Sequence, residues 1–210
     1  MPLTRLPLTT GVSGTLPVGN GGTNVTTTAD LQNIGNLVLL ETTTVTSVSS
    51  ITVGASAIDD TYEQYQIVVS DVKPATDGAH GRMRFTIGGT EQSGASDYSR
   101  VEFRMYAGSA SGGFYVNDGN ASYVDMVMGE SIGNDANHGN NLIMNIFRPS
   151  ASSHHTYGFS HLIGNDLSAQ IQHRFSGFKL HKTGEIDGVN LFWSSGNFSV
   201  QGKIKLYGVK

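Results

Sequence analysis

The sequence predicts an all-β protein: an antiparallel β-sandwich of the jelly-roll type, preceded by an extended N-terminal arm. From residue 37 onward, short runs alternate apolar and polar residues with a period of two, and clusters of Gly, Asn, Asp and Ser separate them. No stretch carries the apolar stripe of an amphipathic helix. Charged residues make up 14% of the chain, against about a quarter in ordinary domains. Small polar residues and 27 glycines take their place, which favours turns and strands over helices.

Residues 1–36 are predicted to form an arm that does not fold alone. Glycines and three of the five prolines interrupt every periodic run in this segment, so it has little apolar surface to bury against itself. Apolar side chains are nonetheless spaced along the arm, and they can dock onto a larger body. The docking candidates are Leu3, Leu6, Leu8, Leu16 and Val18.

Residues 37–210 are predicted to form one sandwich of roughly ten short strands. Among them, the runs around Met83–Ile87 and Val101–Met105 have the alternation of half-buried strands. The predicted runs, in chain order, are 45–53, 65–70, 82–87, 100–106, 123–128, 142–147, 157–163, 171–180, 189–193 and 200–207.

The last of these runs has the cleanest alternation in the chain. It predicts Ile204 and Leu206 on the buried face, and Lys203 and Lys205 on the solvent face. The single tryptophan, Trp193, ends the run before it and is predicted to lie in the core or in a subunit contact.

Composition argues against several classes of partner. Thirteen basic and seventeen acidic residues give a net charge of -4 with no basic run, so nucleic acid is not an expected partner. The absence of cysteine excludes disulfides, thiol nucleophiles and thiolate metal sites. The longest apolar stretch, Leu37–Leu40, is far below the roughly 20 residues that span a bilayer. Neither a signal peptide nor membrane insertion is therefore expected.

No catalytic motif is present, and the chain is predicted not to be an enzyme. It has no nucleophile elbow, His-Glu-x-x-His helix or phosphate loop. A carboxylate pair that hydrolyses polysaccharide remains a minor alternative, because separation in space decides such a pair. Most acidic residues, however, stand in turn sequences such as those around Asp77 and Asp187, where a turn role is favoured.

Metal sites and cofactors are not expected either. Five of the seven histidines are candidate metal ligands: His154, His155, His161, His173 and His181. None of them forms a close i, i+2 pair on one face of a strand. Surface or core histidines are favoured over a metal site. The Asx-rich stretches 117–120 and 134–137 superficially suggest calcium loops, but they lack a bidentate acidic residue at the required distance. Asx turns are favoured for both.

The strongest candidate for ligand binding follows the glycine-rich stretch 108–113. Phe114 and Tyr115 would stack on sugar rings from an exposed loop, while Asn117 and Asp118 would bind sugar hydroxyls. Burial of the two aromatic residues in the core is an equally weighted alternative.

Three stretches resemble a known family. Residues 14–24, Gly-Thr-Leu-Pro-Val-Gly-Asn-Gly-Gly-Thr-Asn, resemble a linker found in tail fibres and related adhesins of tailed bacteriophages, although Asn24 stands where that family usually has Gly. The stretch 202–208 resembles the closing strand of the β-sandwich tip domains of those proteins. Tyr62, Tyr65 and Ile67, followed by residues 72–78, resemble their early strand and turn.

This resemblance implies a non-enzymatic structural protein of a phage virion. It would be a homotrimer, with residues 1–36 as a virion-attachment arm that grips other phage proteins. Residues 37–210 would form a tip that binds a host-surface receptor, in most such proteins a glycan. An alternative stays open: a decoration or cement protein on the capsid or tail that stabilises the particle without binding a receptor.

Overall fold

A computed structural model gives the structure of the chain and describes residues 36–107, 113–125 and 128–210, with the backbone alone for 114–120. All regular secondary structure in these residues is β-strand. The described residues contain no helix that could cross a membrane. The strands are β1 (Leu37–Thr44), β2 (Ser50–Val53), β3 (Gln64–Val72), β4 (Gly81–Ile87), β5 (Thr90–Glu91), β6 (Tyr98–Tyr106), β7 (Gly113–Ala121), β8 (Asn140–Phe147), β9 (His155–Asn165), β10 (Ile171–Thr183), β11 (Ile186–Trp193) and β12 (Lys203–Val209).

The strands form two antiparallel sheets. The larger sheet has eight strands in the order β1-β12-β3-β8-β9-β10-β6-β7, and the smaller has four in the order β2-β11-β4-β5. Strands β1 to β4 alternate between the larger and the smaller sheet, and so do strands β10 to β12. As a result, β1-β12-β3-β8 of the larger sheet and β2-β11-β4-β5 of the smaller sheet form the two sheets of a jelly roll. The predicted all-β sandwich is confirmed. Strands β9, β10, β6 and β7, which we call the extension, widen the larger sheet beyond this unit.

The hydrophobic core joins both sheets. Phe85 of the smaller sheet packs between Tyr98 and Phe178 of the extension, with ring centroids 6.3 and 6.1 Å away. The Tyr98 hydroxyl accepts a hydrogen bond from the Phe85 N–H and donates one to the carbonyl oxygen of Gln92, each at 2.9 Å. Burial raises the pKa of Tyr98, which therefore stays protonated. Trp193 is 4% exposed and lies 5.6 Å from the Phe198 ring, which confirms the predicted core position.

Strand β12 lies between β1 and β3 and has the predicted faces. Ile204 and Leu206 are fully buried, Lys203 is exposed and Lys205 is half-buried. The aliphatic side chains enter the sandwich while the lysine stems stay on the outside.

Three local predictions were wrong or lie outside the described residues. Run 45–53 is a strand only over β2, because residues 45–49 turn from the larger sheet to the smaller one. Run 123–128 is not a strand in its described residues; Val124 alone bridges to Met83. The arm candidates Leu3, Leu6, Leu8, Leu16 and Val18 lie outside the described residues.

The extension reverses the usual alternation of a sandwich. On β9 the residues that point into the protein are small or polar except Leu162, and include Thr156, Gly158 and Ser160, whereas Tyr157 and Phe159 are exposed. On β6 the buried residues include Arg100 and Glu102, and Val101 is exposed. Apolar side chains therefore face away from the smaller sheet along much of these strands, while Tyr98, Leu162, Phe178 and Leu180 face the core.

Candidate interaction surface

The outward side of β6, β8, β9 and β10 carries a continuous set of apolar and aromatic residues, which we call the outer apolar face. Its eight most exposed hydrophobic side chains are between 37% and 53% exposed. The members of the face are Val101, Phe103, Met105, Ile143, Phe147, Tyr157, Phe159, His161, Ile163, Ile171, His173 and Phe175.

Strand register brings these side chains into contact. Phe103, Phe175, His161 and Ile143 are cross-strand partners in one row that runs over four strands. Rings also touch along the face: His161 lies 4.4 Å from Phe175 and 5.7 Å from Phe159, centroid to centroid. His173 lies 4.4 Å from Phe175. The face is thus one aromatic and aliphatic cluster, not a set of isolated residues.

Two hollows interrupt this cluster. One, of about 290 Å³, is lined by residues that include Val101, Phe159 and Gly177. Gly177 is the cross-strand partner of both Val101 and Phe159, so its missing side chain opens the space between them. The second, of about 310 Å³, lies beside Ile143 and Ile163. The face therefore has both protruding side chains and recesses.

The outer apolar face holds no formal charge at its described outward positions. These positions are every second residue from 101 to 105 on β6, from 141 to 147 on β8, from 157 to 163 on β9 and from 171 to 177 on β10. None of them is Asp, Glu, Lys or Arg. The first ammonium appears at Lys179, at the end of the face. A surface of this kind is costly to leave in water and is typical of a contact with another macromolecule.

Charges lie instead beneath the face, in the protein interior. Arg174 is 1% exposed and donates hydrogen bonds to Glu102 at 2.7 Å and to Glu130 at 2.8 Å. Arg100 donates to the other oxygen of Glu102 at 2.9 Å, and Arg104 pairs with Glu130. Each buried charge thus has a partner of opposite sign, as burial requires.

Glu130 connects this cluster to the segment between β7 and β8. Burial acts to raise the pKa of Glu130, but the hydrogen bond and charge of Arg174, together with the charge of Arg104, hold that pKa below its ordinary value. Tyr106, 3.4 Å from the same carboxylate, has its pKa raised mainly by burial. The carboxylate is thus ionised at neutral pH and ties the segment to β6 and β10.

The histidines considered as candidate metal ligands lie in two separate places. His161 and His173 contact Phe175 on the outer apolar face, while His155 and His181 are 6.1 Å apart at the far end of β10. Among the described residues, no three His, Cys, Asp or Glu side chains form a group that could hold a metal ion.

His181 belongs to a polar group at that far end. Its Nε2 lies 2.5 Å from the Ser99 hydroxyl, and Lys182 pairs with Asp97 at 2.9 Å. Partial burial lowers the pKa of His181, the charges of Lys179 and His155 lower it further, and Asp97 opposes them. This group accounts for the histidine without a metal.

The turn prediction is confirmed at Asp77, which lies in the turn before β4, and was wrong at Asp187, which lies in a strand. Asp77 accepts from the N–H of Asn134 at 3.1 Å. Asp187 lies in β11 itself, but its carboxylate holds the turn after β4 by accepting from Thr86 at 2.5 Å and from the N–H of Gly89 at 2.6 Å.

The predicted receptor-binding residues Phe114, Tyr115, Asn117 and Asp118 are not in a loop. Their backbone runs in β7, which is paired with β6 and forms one edge of the larger sheet. The loop prediction was wrong because the open edge of β6 offers hydrogen-bond partners that the glycine-rich sequence alone does not reveal. Their side chains lie outside the described residues, but the register places Phe114 opposite Phe103 of the outer apolar face.

The outer apolar face was not predicted from the sequence. Its signal was present in β9 and β10, where the residues between the aromatic ones are Gly158, Ser160, Arg174 and Ser176. Such residues fill a hydrophobic core poorly, which leaves the aromatic side as the one that seeks a partner outside.

Comparison of the chain with protein-family models, with curated proteins and with solved structures gives no match.

Proposed function

We propose that the chain is a structural virion protein of a tailed bacteriophage: a short homotrimeric tail fibre or tail appendage that binds a host-surface glycan. The observation that carries this proposal is the order of its parts. The linker-like motif at 14–24 precedes a jelly roll whose last strand, β12, has the family-like sequence Gly202–Gly208 and lies inside the larger sheet. Arm, sandwich and closing strand follow one another as in the adhesins that the sequence resembles.

The outer apolar face supports an assembled form. Soluble monomers rarely expose contiguous apolar patches above a few hundred Å², and this face spreads over four adjacent strands. Several copies that associate would cover it and would present several receptor sites at once. Weak contacts with sugars then add up to firm attachment.

Edge strand β7 is the proposed receptor site. It has a hydrogen-bonded neighbour on one side only, so its residues stand at the rim of the sheet. Phe114 and Tyr115 supply stacking surfaces, and Asn117 and Asp118 supply hydrogen-bonding groups, the chemistry that sugar rings require.

Labelling of virus particles tests the role in the virion. Antibody raised against the purified chain, coupled to gold, is applied to particles of the phage that encodes it. We expect label on the tail in electron micrographs. Label over the head would favour the decoration protein and overturn the fibre, and unlabelled particles would overturn both.

Loss of host binding tests the receptor site. The full chain with Phe114→Ala and Tyr115→Ala is expected to bind host cells and their purified polysaccharide at least about tenfold more weakly, with little change in melting temperature. The control removes two other aromatic residues, Phe192→Ala in β11 and Tyr123→Ala in the segment after β7, whose ring centroids lie 6.3 Å apart. Equal binding by both variants would overturn the site, and a large melting shift in the first would assign its residues to the core.

A further inference from the structure

We propose that the outer apolar face is the surface on which a second copy of this chain docks. The inference goes beyond the virion role, since it assigns a surface and a partner from the side chains of β6, β8, β9 and β10 and holds for any self-associating form. It concerns the place of contact between copies, whereas the proposed glycan site lies on the neighbouring edge strand β7, where Phe114 is the cross-strand partner of Phe103.

The area of the face suits a stable protein contact. Eight hydrophobic side chains on it are 37–53% exposed. If each whole side chain is given the about 150–250 Å² of an aromatic residue, they present on the order of 500–900 Å², a range that includes the about 800 Å² that each partner buries in a standard interface. An extended peptide one strand wide would leave most of this breadth uncovered.

The charge pattern selects a copy of the same chain over a charged partner. The described outward positions on the four strands hold no formal charge, although the chain as a whole carries -4. Two copies therefore meet here without like-charge repulsion, and nothing on the face would attract a basic or acidic partner.

The shape of the outer apolar face suits contact with a second copy of itself. Tyr157, at 53% exposure, protrudes at one end, while hollows of about 290 and 310 Å³ lie near Gly177 and near Ile143. A surface that meets its own copy needs protrusions and recesses on the same patch.

The interior beneath the face explains why these strands need a partner. Inner positions of β6 and β10 hold the paired charges of Arg100, Glu102 and Arg174, so these strands contribute few apolar contacts to the protomer core there. Their apolar side chains are removed from water only when something covers the outside.

Charge insertion in the full-length chain tests the proposal. Val101→Lys with Ile163→Lys places ammonium groups at two separated points of the face, at side chains 53% and 46% exposed. The control, Leu167→Lys with Val200→Lys, alters side chains 49% and 72% exposed that lie off the face. By sedimentation velocity we expect the wild type and the control to associate and the face variant to do so at least about a hundredfold more weakly.

A monomeric wild type at high concentration, or an unchanged association constant in the face variant, would overturn the proposal. Because both pairs of residues are exposed, their substitution leaves the protomer core intact, and equal melting temperatures of the dissociated forms check this.

Thiol labelling distinguishes a second copy from the arm as the occupant. The chain has no cysteine, so Val101→Cys and Val200→Cys each introduce a single reactive group. We expect the thiol at position 101 to be protected from maleimide only at concentrations where the chain associates, and the one at 200 to react equally throughout. Protection at 101 in a monomeric sample would assign the face to residues 1–35 of the same chain, and reactivity at every concentration would mean that nothing covers it; both overturn the proposal.

Discussion

Burial decides what a single ion pair contributes to this protein. Glu102 is fully buried between Arg100 and Arg174, whereas Glu63 pairs with Arg148 at 3.2 Å while remaining 85% exposed. The same two residue types thus meet in a low-dielectric interior and in water. An exposed pair contributes little, but removing one partner of a buried pair leaves an uncompensated charge.

Glu102→Gln is therefore expected to lower the free energy of unfolding by about 3–5 kcal/mol, because two guanidinium groups would share one neutral amide. Glu63→Gln, the same substitution at an exposed pair, is expected to cost about 0–1 kcal/mol. Urea denaturation measures both. Similar losses in the two variants would contradict the assigned burial.

The faces of β12 make a second comparison at single positions. Ile204→Asp or Leu206→Asp would bury a carboxylate without a partner at a fully buried site, so we expect loss of folding or a loss of more than about 4 kcal/mol. Lys203→Glu and Lys205→Glu change the outer face of the same strand and are expected to cost less than about 1 kcal/mol. Circular dichroism and urea denaturation separate the two classes, and uniform losses over all four variants would disprove the alternation.

Glycine has two different roles on the two sides of the extension, at Gly158 in β9 and at Gly177 in β10. A Cβ on Gly158, which faces inward, would lie 2.4 Å from Phe178 and 2.5 Å from the carbonyl oxygen of Asn145. A Cβ on Gly177 of β10, which faces outward, meets only Val101, at 3.3 Å. Close approach of the backbone requires the first glycine and not the second.

We expect Gly158→Ala to lower the melting temperature by at least about 5 °C, since the backbone of β8 cannot move without breaking the ladder. Gly177→Ala should change it by less than about 2 °C, because Val101 is exposed and a small outward shift of its side chain relieves the contact. Thermal denaturation of both variants is the measurement. A tolerated alanine at 158 would show that β9 lies farther from Phe178 than described.

The segment between β7 and β8 is attached to the extension through Glu130, and this attachment depends on pH. Because the folded protein holds the pKa of Glu130 below its ordinary value of 4.5, the ionised carboxylate stabilises the folded state. The stabilisation is complete above pH 4.5 and is lost as the pH falls through the lower folded value. Glu130→Gln removes it.

The melting temperature of the wild type should therefore exceed that of Glu130→Gln by a constant amount at pH 5–7, and the two should converge as the pH falls below 4.5. Other carboxylates titrate in both proteins and cancel in the difference. A difference that stayed constant down to pH 3 would mean that Glu130 does not interact with Arg174 as described.

Alternation along the strands predicted much of the fold, but not which side of each strand is covered. The pattern in β12 and β4 placed apolar residues inward because the second sheet lies against them. The equally clear pattern in β6 has the opposite outcome, with Val101 exposed and Glu102 buried. Periodicity reports which residues share a face, whereas the covering layer is set by contacts between residues far apart in the sequence.

At the scale of the whole molecule, every described strand belongs to one of two sheets formed by residues 37–209. The core lies between these sheets, and its buried hydrophobic residues extend from Val45 to Leu206. Beyond the jelly-roll unit, the extension supplies the outer apolar face, and the first strand begins directly after the proposed attachment arm. The described body thus begins where the proposed attachment arm ends.

Deletion of residues 1–30 tests this separation. Because the described pairing begins at β1, and the Lys210 N–H donates a 2.8 Å hydrogen bond to the carbonyl oxygen of Asn36 just before that strand, we expect the shortened chain to stay folded. Its melting temperature should lie within about 3 °C of that of the full chain, and it should no longer cosediment with virus particles. An aggregated product, or a melting temperature lower by more than about 10 °C, would place the arm within the folded body. Undiminished cosedimentation would move the attachment site to the sandwich.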